Sequence, residues 1–72
     1  MNNLNVAKIQ LNGDPYEVIN GTNLNELLNK LKLQKNKIAI EVNGEIIEKG
    51  KYPNLILKRD DKVEIVHFIG GG

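Results

Sequence analysis

Among the apolar segments of this 72-residue chain, a single one has a helical period. Leu24, Leu27, Leu28 and Leu31 fall at i, i+3, i+4 and i+7, which makes one apolar stripe on a helix. Asn23 and Glu26 stand at capping-box spacing ahead of that stripe, with Asn in place of Ser or Thr. Glu26 lies in the first turn and Lys30, Lys32 and Lys35 lie towards the end, a polarity that suits the helix dipole. Glu26 and Lys30 also form an i,i+4 pair, worth about 0.2–0.5 kcal/mol. The helix is expected over Asn23 to Leu33, with Asn36 as its stop.

The remaining apolar segments alternate or are short. Ala7, Ile9 and Leu11 share one face of a strand, with Val6, Lys8 and Gln10 on the other. Asn12-Gly13 follows, the strongest short hairpin signal, because both central residues of a type I′ turn need φ > 0. The returning strand is expected over Tyr16 to Ile19, and Pro15, which has no N–H, puts this hairpin at a sheet edge. Ile38, Ile40 and Val42 alternate with Ala39 and Glu41 in a third strand, and Asn43-Gly44 turns it back for a brief pairing of Glu45-Ile46-Ile47. Lys49 to Asn54 reads as loop or one 3₁₀ turn, Leu55-Ile56-Leu57 as a short strand, and Arg59-Asp60-Asp61-Lys62 as a polar turn before a last strand, Val63 to Ile69. The first hairpin cannot bury its apolar face alone, and the Leu stripe is its natural cover. The fold class is therefore α+β: a mixed sheet of about four to five strands with one main helix packed on one face, the other face open to water. That order of elements is the β-grasp, or ubiquitin-like, arrangement, in which the first and last strands pair in parallel at the sheet centre.

Composition narrows the function. A chain of this length buries only about 60–65% of its unfolded surface, so the core is thin. It has no Cys, which excludes disulfides and thiolate metal sites and leaves Met1 as the one sulfur-containing side chain. The net charge of +1, with signs interspersed, argues against nucleic acid as a partner. Residues 1–5 lack the basic and apolar regions of a secretion signal, and no apolar run approaches the ~20 residues of a membrane span. A soluble cytoplasmic domain, monomeric on its own, is the expectation.

The sequence ends in Gly70-Gly71-Gly72, directly after the last strand. Glycine has no Cβ and samples φ > 0 freely, so residues 70–72 are expected to be a flexible tail on a domain spanning 1–69. Such a tail is thin enough to thread a narrow channel and present a terminal carboxylate at Gly72 inside a partner's active site, with Gly70 and Gly71 as the threading residues. The strand before it offers a docking surface. If Val63 and Ile65 face the helix, Val66 and Phe68 face the open side of the sheet as an apolar patch for a partner.

Several residues invite a chemical reading and are better explained without one. His67 has no Ser, Cys or paired carboxylate nearby in sequence, and metal sites need several ligands, so no metal site is expected. Asp60-Asp61 and Glu45-Glu48 read as solvated carboxylates. Lys30, Lys32, Lys35 and Lys37 read as a dipole complement with a possible steering role. The glycine run is no phosphate loop, because no helix follows it.

The chain resembles the ThiS family, the sulfur carriers of thiazole synthesis in thiamine biosynthesis. The resemblance runs nearly end to end and is strongest in Gln10-Leu11-Asn12-Gly13, Asn23-Leu24-Asn25-Glu26-Leu27-Leu28, Val42-Asn43-Gly44-Glu45-Ile46-Ile47, and Val63 through Gly72. One departure is Arg59-Asp60-Asp61, where many relatives carry Asp-Gly-Asp; Asp can visit the left-handed region, so the turn is expected to survive. The resemblance implies a protein co-substrate rather than an enzyme, with no bound cofactor. A ubiquitin-activating-like adenylyltransferase would use Mg-ATP to adenylate Gly72. A persulfide donor, a cysteine desulfurase or similar, would supply sulfur to form a thiocarboxylate, and thiazole synthase would consume it. The alternatives are the small subunit of molybdopterin synthase, a ubiquitin-like modifier joined through Gly72 to lysines, and a plain interaction or RNA-binding β-grasp domain.

Overall fold

The computed structural model describes residues 5–68. The chain begins with a hairpin, β1 (Val6–Leu11) and β2 (Asp14–Ile19), joined by a two-residue turn in which Asn12 has φ 50° and Gly13 φ 89°. Both central residues are left-handed, as a type I′ turn demands. The returning strand starts at Asp14, two residues earlier than expected, so Pro15 lies inside it opposite Gln10. The Gln10 N–H points away from β2, to the Asp61 carbonyl at 2.9 Å. The Gln10–Pro15 pair is therefore one that exchanges no ladder bond, and the missing proline N–H costs nothing there.

Helix α1 (Leu24–Leu31) follows, capped by both halves of the box. Asn23 Oδ1 accepts the Glu26 N–H at 2.8 Å, and Glu26 Oε1 accepts the Asn23 N–H at 3.0 Å. Lys30 does not complete the expected pair with Glu26; its Nζ lies 5.2 Å from the centroid of the Tyr16 ring. The helix also stops earlier than Asn36. Lys32 turns left-handed at φ 61°, and the Leu33 N–H returns to the Leu28 carbonyl at 2.9 Å. This is a Schellman closure, and it holds because Leu33 is apolar and folds back on the core.

After a 3₁₀ turn, Lys35–Lys37, the chain forms β3 (Ile38–Val42) and β4 (Glu45–Ile46), joined by Asn43 (φ 54°) and Gly44 (φ 86°). A 3₁₀ segment, Lys49–Asn54, leads across to the last strand, β5 (Lys62–His67). The sheet order is β2-β1-β5-β3-β4, with β1 and β5 parallel and the other neighbours antiparallel. The mixed sheet with one helix, and the parallel pairing of first and last strands, agree with the sequence reading. Leu55–Leu57 does not. It forms a single bridge, Asn23 to Ile56, and the Leu57 N–H bonds the Thr22 carbonyl at 2.8 Å. The apolar alternation there serves a crossing over the start of α1, where Leu57 is buried and Ile56 is not, rather than a sheet edge.

The core lies between α1 and the sheet. Leu24, Leu27 and Leu28 meet Ala7, Ile9, Val18, Ile38, Ile40, Val63 and Ile65. Tyr52 completes it from the second 3₁₀ segment and is fully buried. Its hydroxyl makes no hydrogen bond of proper geometry, although the Ile40 backbone is close. Burial raises its pKa above the ordinary 10.0, and the Ile40 backbone offsets part of that rise. A raised folded-state pKa means stability that is complete below pH 10 and lost as the phenol is forced to ionise above it. Tyr52→Phe is expected to leave stability at pH 7 unchanged or raise it by up to about 1 kcal/mol, since an unsatisfied polar atom is removed. It should also flatten the fall in Tm expected of the parent chain above pH 10. Thermal melts of both proteins from pH 7 upward check this, and a loss of more than about 1 kcal/mol at pH 7 would show that the hydroxyl is bonded.

Candidate functional site

Of the residues singled out in the sequence, Gly70, Gly71 and Gly72 lie outside the described residues, as does the boundary between domain and tail. What is described is the strand that leads to them. β5 is flanked on both sides only at its start. On one side it pairs with β1 at Gln10–Lys62 and Leu11–Val63, after which β1 turns away. On the other it pairs with β3 as far as Ile38–His67, and the Phe68 N–H still reaches the Lys37 carbonyl at 2.9 Å.

Asn12 extends the weaker side. Its N–H bonds the Val63 carbonyl at 2.8 Å, and its side-chain Oδ1 accepts the Ile65 N–H at 2.8 Å. One turn residue thus replaces a missing strand for two more positions. A second turn asparagine fixes the entry to β5. Asn43 Oδ1 accepts the Lys62 N–H at 2.9 Å, the Asn43 N–H bonds the Lys62 carbonyl at 2.7 Å, and Asn43 Nδ2 donates to Asp61 Oδ1 at 3.0 Å. Asp61 Oδ2 in turn accepts the Lys58 N–H at 2.8 Å. Asp61 is therefore a turn clamp, not the solvated carboxylate expected; a side chain reaching back three residues and across to another turn leaves no trace in local composition. Asp60 holds the left-handed position at φ 71°, as the departure from Asp-Gly-Asp required. The clamping roles of Asn12 and Asn43 were also missed. Asn-Gly announces the turn, and nothing in the sequence says which strand the side chain will meet.

With β5 so oriented, Val63 and Ile65 are buried under α1, while Glu64, Val66 and Phe68 face the other side. Val66 is 55% and Phe68 57% exposed. Phe68 does not fold back over a neighbouring strand. The Lys49 Nζ lies 5.6 Å from its ring centroid and also donates to the Ile38 carbonyl at 3.0 Å. That amine pins the start of β3 and one flank of the ring. His67 is exposed at the strand end. Among the described residues no group of three or more His, Cys, Asp or Glu is placed to hold a metal, and no helix is long and apolar enough to cross a membrane. An open cleft between the end of β2 and α1, lined by Ile19, Thr22 and Glu26 among others, gathers no convergent chemistry.

A mixed five-stranded sheet gripping one helix, with its first and last strands parallel at the middle, defines a protein of the ubiquitin-like β-grasp class. The ThiS family model matches residues 9–72, and the chain belongs to that family of small sulfur carriers of thiamine biosynthesis, which are not enzymes. The chain is 38% identical to the sulfur carrier protein ThiS of Bacillus subtilis over 65 residues, covering 89% of this chain and 98% of that one. It superposes on the crystal structure of the thiamine biosynthesis protein ThiS of Geobacter metallireducens with a TM-score of 0.78 at 35% identity, covering 90% of this chain and 99% of the other. It is also 45% identical over 65 residues to a thiazole synthase of Magnetococcus marinus. There it covers 90% of this chain but only 20% of the synthase, so it corresponds to about a fifth of that longer protein.

Asn12→Gly keeps a residue that accepts φ 50° but removes the acceptor for the Ile65 N–H. The expected outcome is a loss of about 1–2 kcal/mol and faster amide exchange at Ile65, with Asn12→Asp close to the parent. Native-state hydrogen exchange measures it; unchanged exchange at Ile65 in the glycine variant would remove Asn12 from this role.

Proposed function

We propose that the chain carries sulfur as a thiocarboxylate at Gly72. The observation that supports this most is that the family match runs on through the glycine residues to position 72, so the resemblance includes the tail and not the domain alone. The chemistry follows from what a carboxylate lacks. It is a poor electrophile, and attack of the Gly72 carboxylate on the α-phosphate of ATP, with pyrophosphate leaving, turns it into an acyl adenylate. Mg-ATP belongs to the partner, a ubiquitin-activating-like adenylyltransferase. A persulfide sulfur then attacks the acyl carbon and AMP departs. The acyl-disulfide that results is cleaved by a thiol, which becomes a disulfide and releases the thiocarboxylate. Thiazole synthase takes the sulfur from it, and the carboxylate is regenerated. Similarity to part of a thiazole synthase supports that last partner, since a carrier-like stretch occurs there within the same polypeptide.

In this reading the protein supplies position rather than reactivity. β5 delivers the tail, and Val66 and Phe68 dock the partner. The absence of Cys means that no side-chain thiol competes for the sulfur or for a thiol reagent.

Intact mass of the chain isolated from its own host, before and after a thiol-alkylating reagent, tests the first part. A stable adduct mapping to Gly72 is expected. Its absence, even after incubation with the cognate adenylating enzyme, Mg-ATP and a persulfide donor, would overturn the carrier chemistry; higher-mass covalent ladders in blots would point to conjugation instead. For the second part, Phe68→Ala is expected to weaken binding to the adenylating enzyme by about 1–3 kcal/mol while leaving the fold intact. Unchanged affinity with unchanged folding would remove Phe68 from the docking surface.

A further inference from the structure

Asn-Gly occurs at Asn12-Gly13, Asn20-Gly21 and Asn43-Gly44. In this dipeptide a side-chain amide is open to attack by its own main chain, because the glycine has no Cβ to hinder its nitrogen. At Gly13, Gly21 and Gly44 no heavy atom beyond the chain neighbours lies within 4 Å of where a Cβ would stand. The reaction needs only water. The glycine nitrogen bonds to the asparagine Cγ, the Cγ–Nδ2 bond breaks, and Nδ2 leaves as ammonia with the proton of the glycine N–H. Water then opens the cyclic imide at either carbonyl, giving aspartate or isoaspartate.

The consequences differ with position. The Asn12 side chain makes one bond, in which Oδ1 accepts the Ile65 N–H at 2.8 Å. An aspartate at that position keeps it. Asn20 lies in the turn after β2, outside the two asparagine clamps, and there Gly21 has the positive φ, 91°. Asn43 uses its amide in both senses: Oδ1 accepts the Lys62 N–H at 2.9 Å, and Nδ2 donates to Asp61 Oδ1 at 3.0 Å. Asp61 cannot turn that oxygen away freely, because its Oδ2 holds the Lys58 N–H at 2.8 Å. An acid at position 43 therefore loses the donor and sets two carboxylates at hydrogen-bond distance, where each disfavours the ionised form of the other. Among the described residues the one ion pair is Arg59 with Asp60, at 3.9 Å, and it involves neither group.

The bonds that make the product costly also delay it. Both polar atoms of the Asn43 amide are held on Asp61 and Lys62. The amide carbon reaches the Gly44 nitrogen when those bonds break, which is a local opening of the turn at the entry to β5. Opening is thus the condition for reaction, and the acid that forms favours the open state.

We propose that Asn43 is a site of spontaneous amide-to-acid modification and acts as a one-way latch on β5. The closed turn protects it, and the acid cannot rebuild the clamp. The aged chain loses its hold on the start of the strand that leads to the glycine residues, whatever chemistry Gly72 carries.

Two measurements on the full chain test this. In warm, mildly alkaline buffer, peptide mapping by mass follows conversion at Asn12, Asn20 and Asn43 in the parent and in Asp61→Ala. Loss of the acceptor for Asn43 Nδ2 should speed conversion at Asn43 by about threefold or more, with Asn12 within about twofold of the parent. An unchanged rate at Asn43, or a rise shared equally by Asn12, overturns the latch. Asn43→Asp reproduces the aspartate product. Its Tm should fall by about 2–8 °C, with faster amide exchange at Lys62, while Asn12→Asp stays close to the parent. Asn43→Asp combined with Asp61→Asn exchanges acid and amide and keeps every bond: the acid accepts the Lys62 N–H and the new amide's N–H, and that amide's oxygen accepts the Lys58 N–H. The exchanged pair should recover at least about half of the lost Tm. An unchanged Tm in Asn43→Asp, or no recovery in the exchanged pair, overturns the proposal.

Discussion

The structure turns on how β5 is held. It has to be a central strand, because its buried residues Val63 and Ile65 join the two halves of the sheet under α1. In the proposed carrier role it also has to hand residues 70–72 to a partner. A strand hydrogen-bonded along both edges to its last residue could not do that without burying whatever follows it. The resolution is asymmetric. Ladder bonds from β3 run to the end of β5, whereas β1 leaves after Leu11–Val63 and hands its role to a single asparagine side chain. That places the I′ turn of the first hairpin, 53 residues away in sequence from Ile65, in direct contact with the strand that precedes the tail.

Two consequences follow for the sheet as a surface. Anchoring one edge of β5 with side chains rather than a strand costs cooperativity at that end, since one substitution can release it, and local opening begins where few bonds must break. Yet the face of β5 stays fixed, because pairing with β3 sets the alternation, and a slip of one residue would carry Val66 into the core and Ile65 into water. The apolar patch and the carboxylates of Glu41 and Glu64, directly opposed in that register, are therefore presented in a defined geometry while the strand beyond them stays one-sided.

Much of this was legible in the sequence. Asn12-Gly13 and Asn43-Gly44 gave both hairpins because few residues accept two consecutive positive φ values. Asn23 and Glu26 gave the helix start because the capping box is local and reciprocal. The alternation from Val63 to Phe68 gave the two faces of β5. What was not legible depended on partners distant in sequence. Leu55–Leu57 has the period of a strand but crosses over the helix start, and period reports which side is buried, not what lies alongside. The helix stop was misjudged because Lys32 adopts a left-handed conformation unusual for its type, and the burial of Leu33 offsets that cost. Asp61 and Asn12 act across 18 and 53 residues respectively, and composition is silent about such reach. The Glu41–Glu64 opposition likewise exists only once the register of β3 on β5 is known.

The distribution of polar groups separates two kinds of task. At the helix start and in the turns, side-chain polar groups are matched within the chain: Asn23 with Glu26, Asn43 with Asp61 and Lys62, Asn12 with Ile65. These bonds specify the fold, and each has a partner within the chain. On the open face the pattern reverses, with apolar side chains in water and like charges opposed. A sequence consistent at every level for folding alone would not place Glu against Glu beside exposed Ile46, Val66 and Phe68. These departures share one face of the sheet, across β3, β4 and β5. The reactive group is proposed to lie on the main chain, and the partner contact is proposed to use this face. A chain with a thin core tolerates such conflicts because they are on the solvent side of the sheet, where water screens the charges.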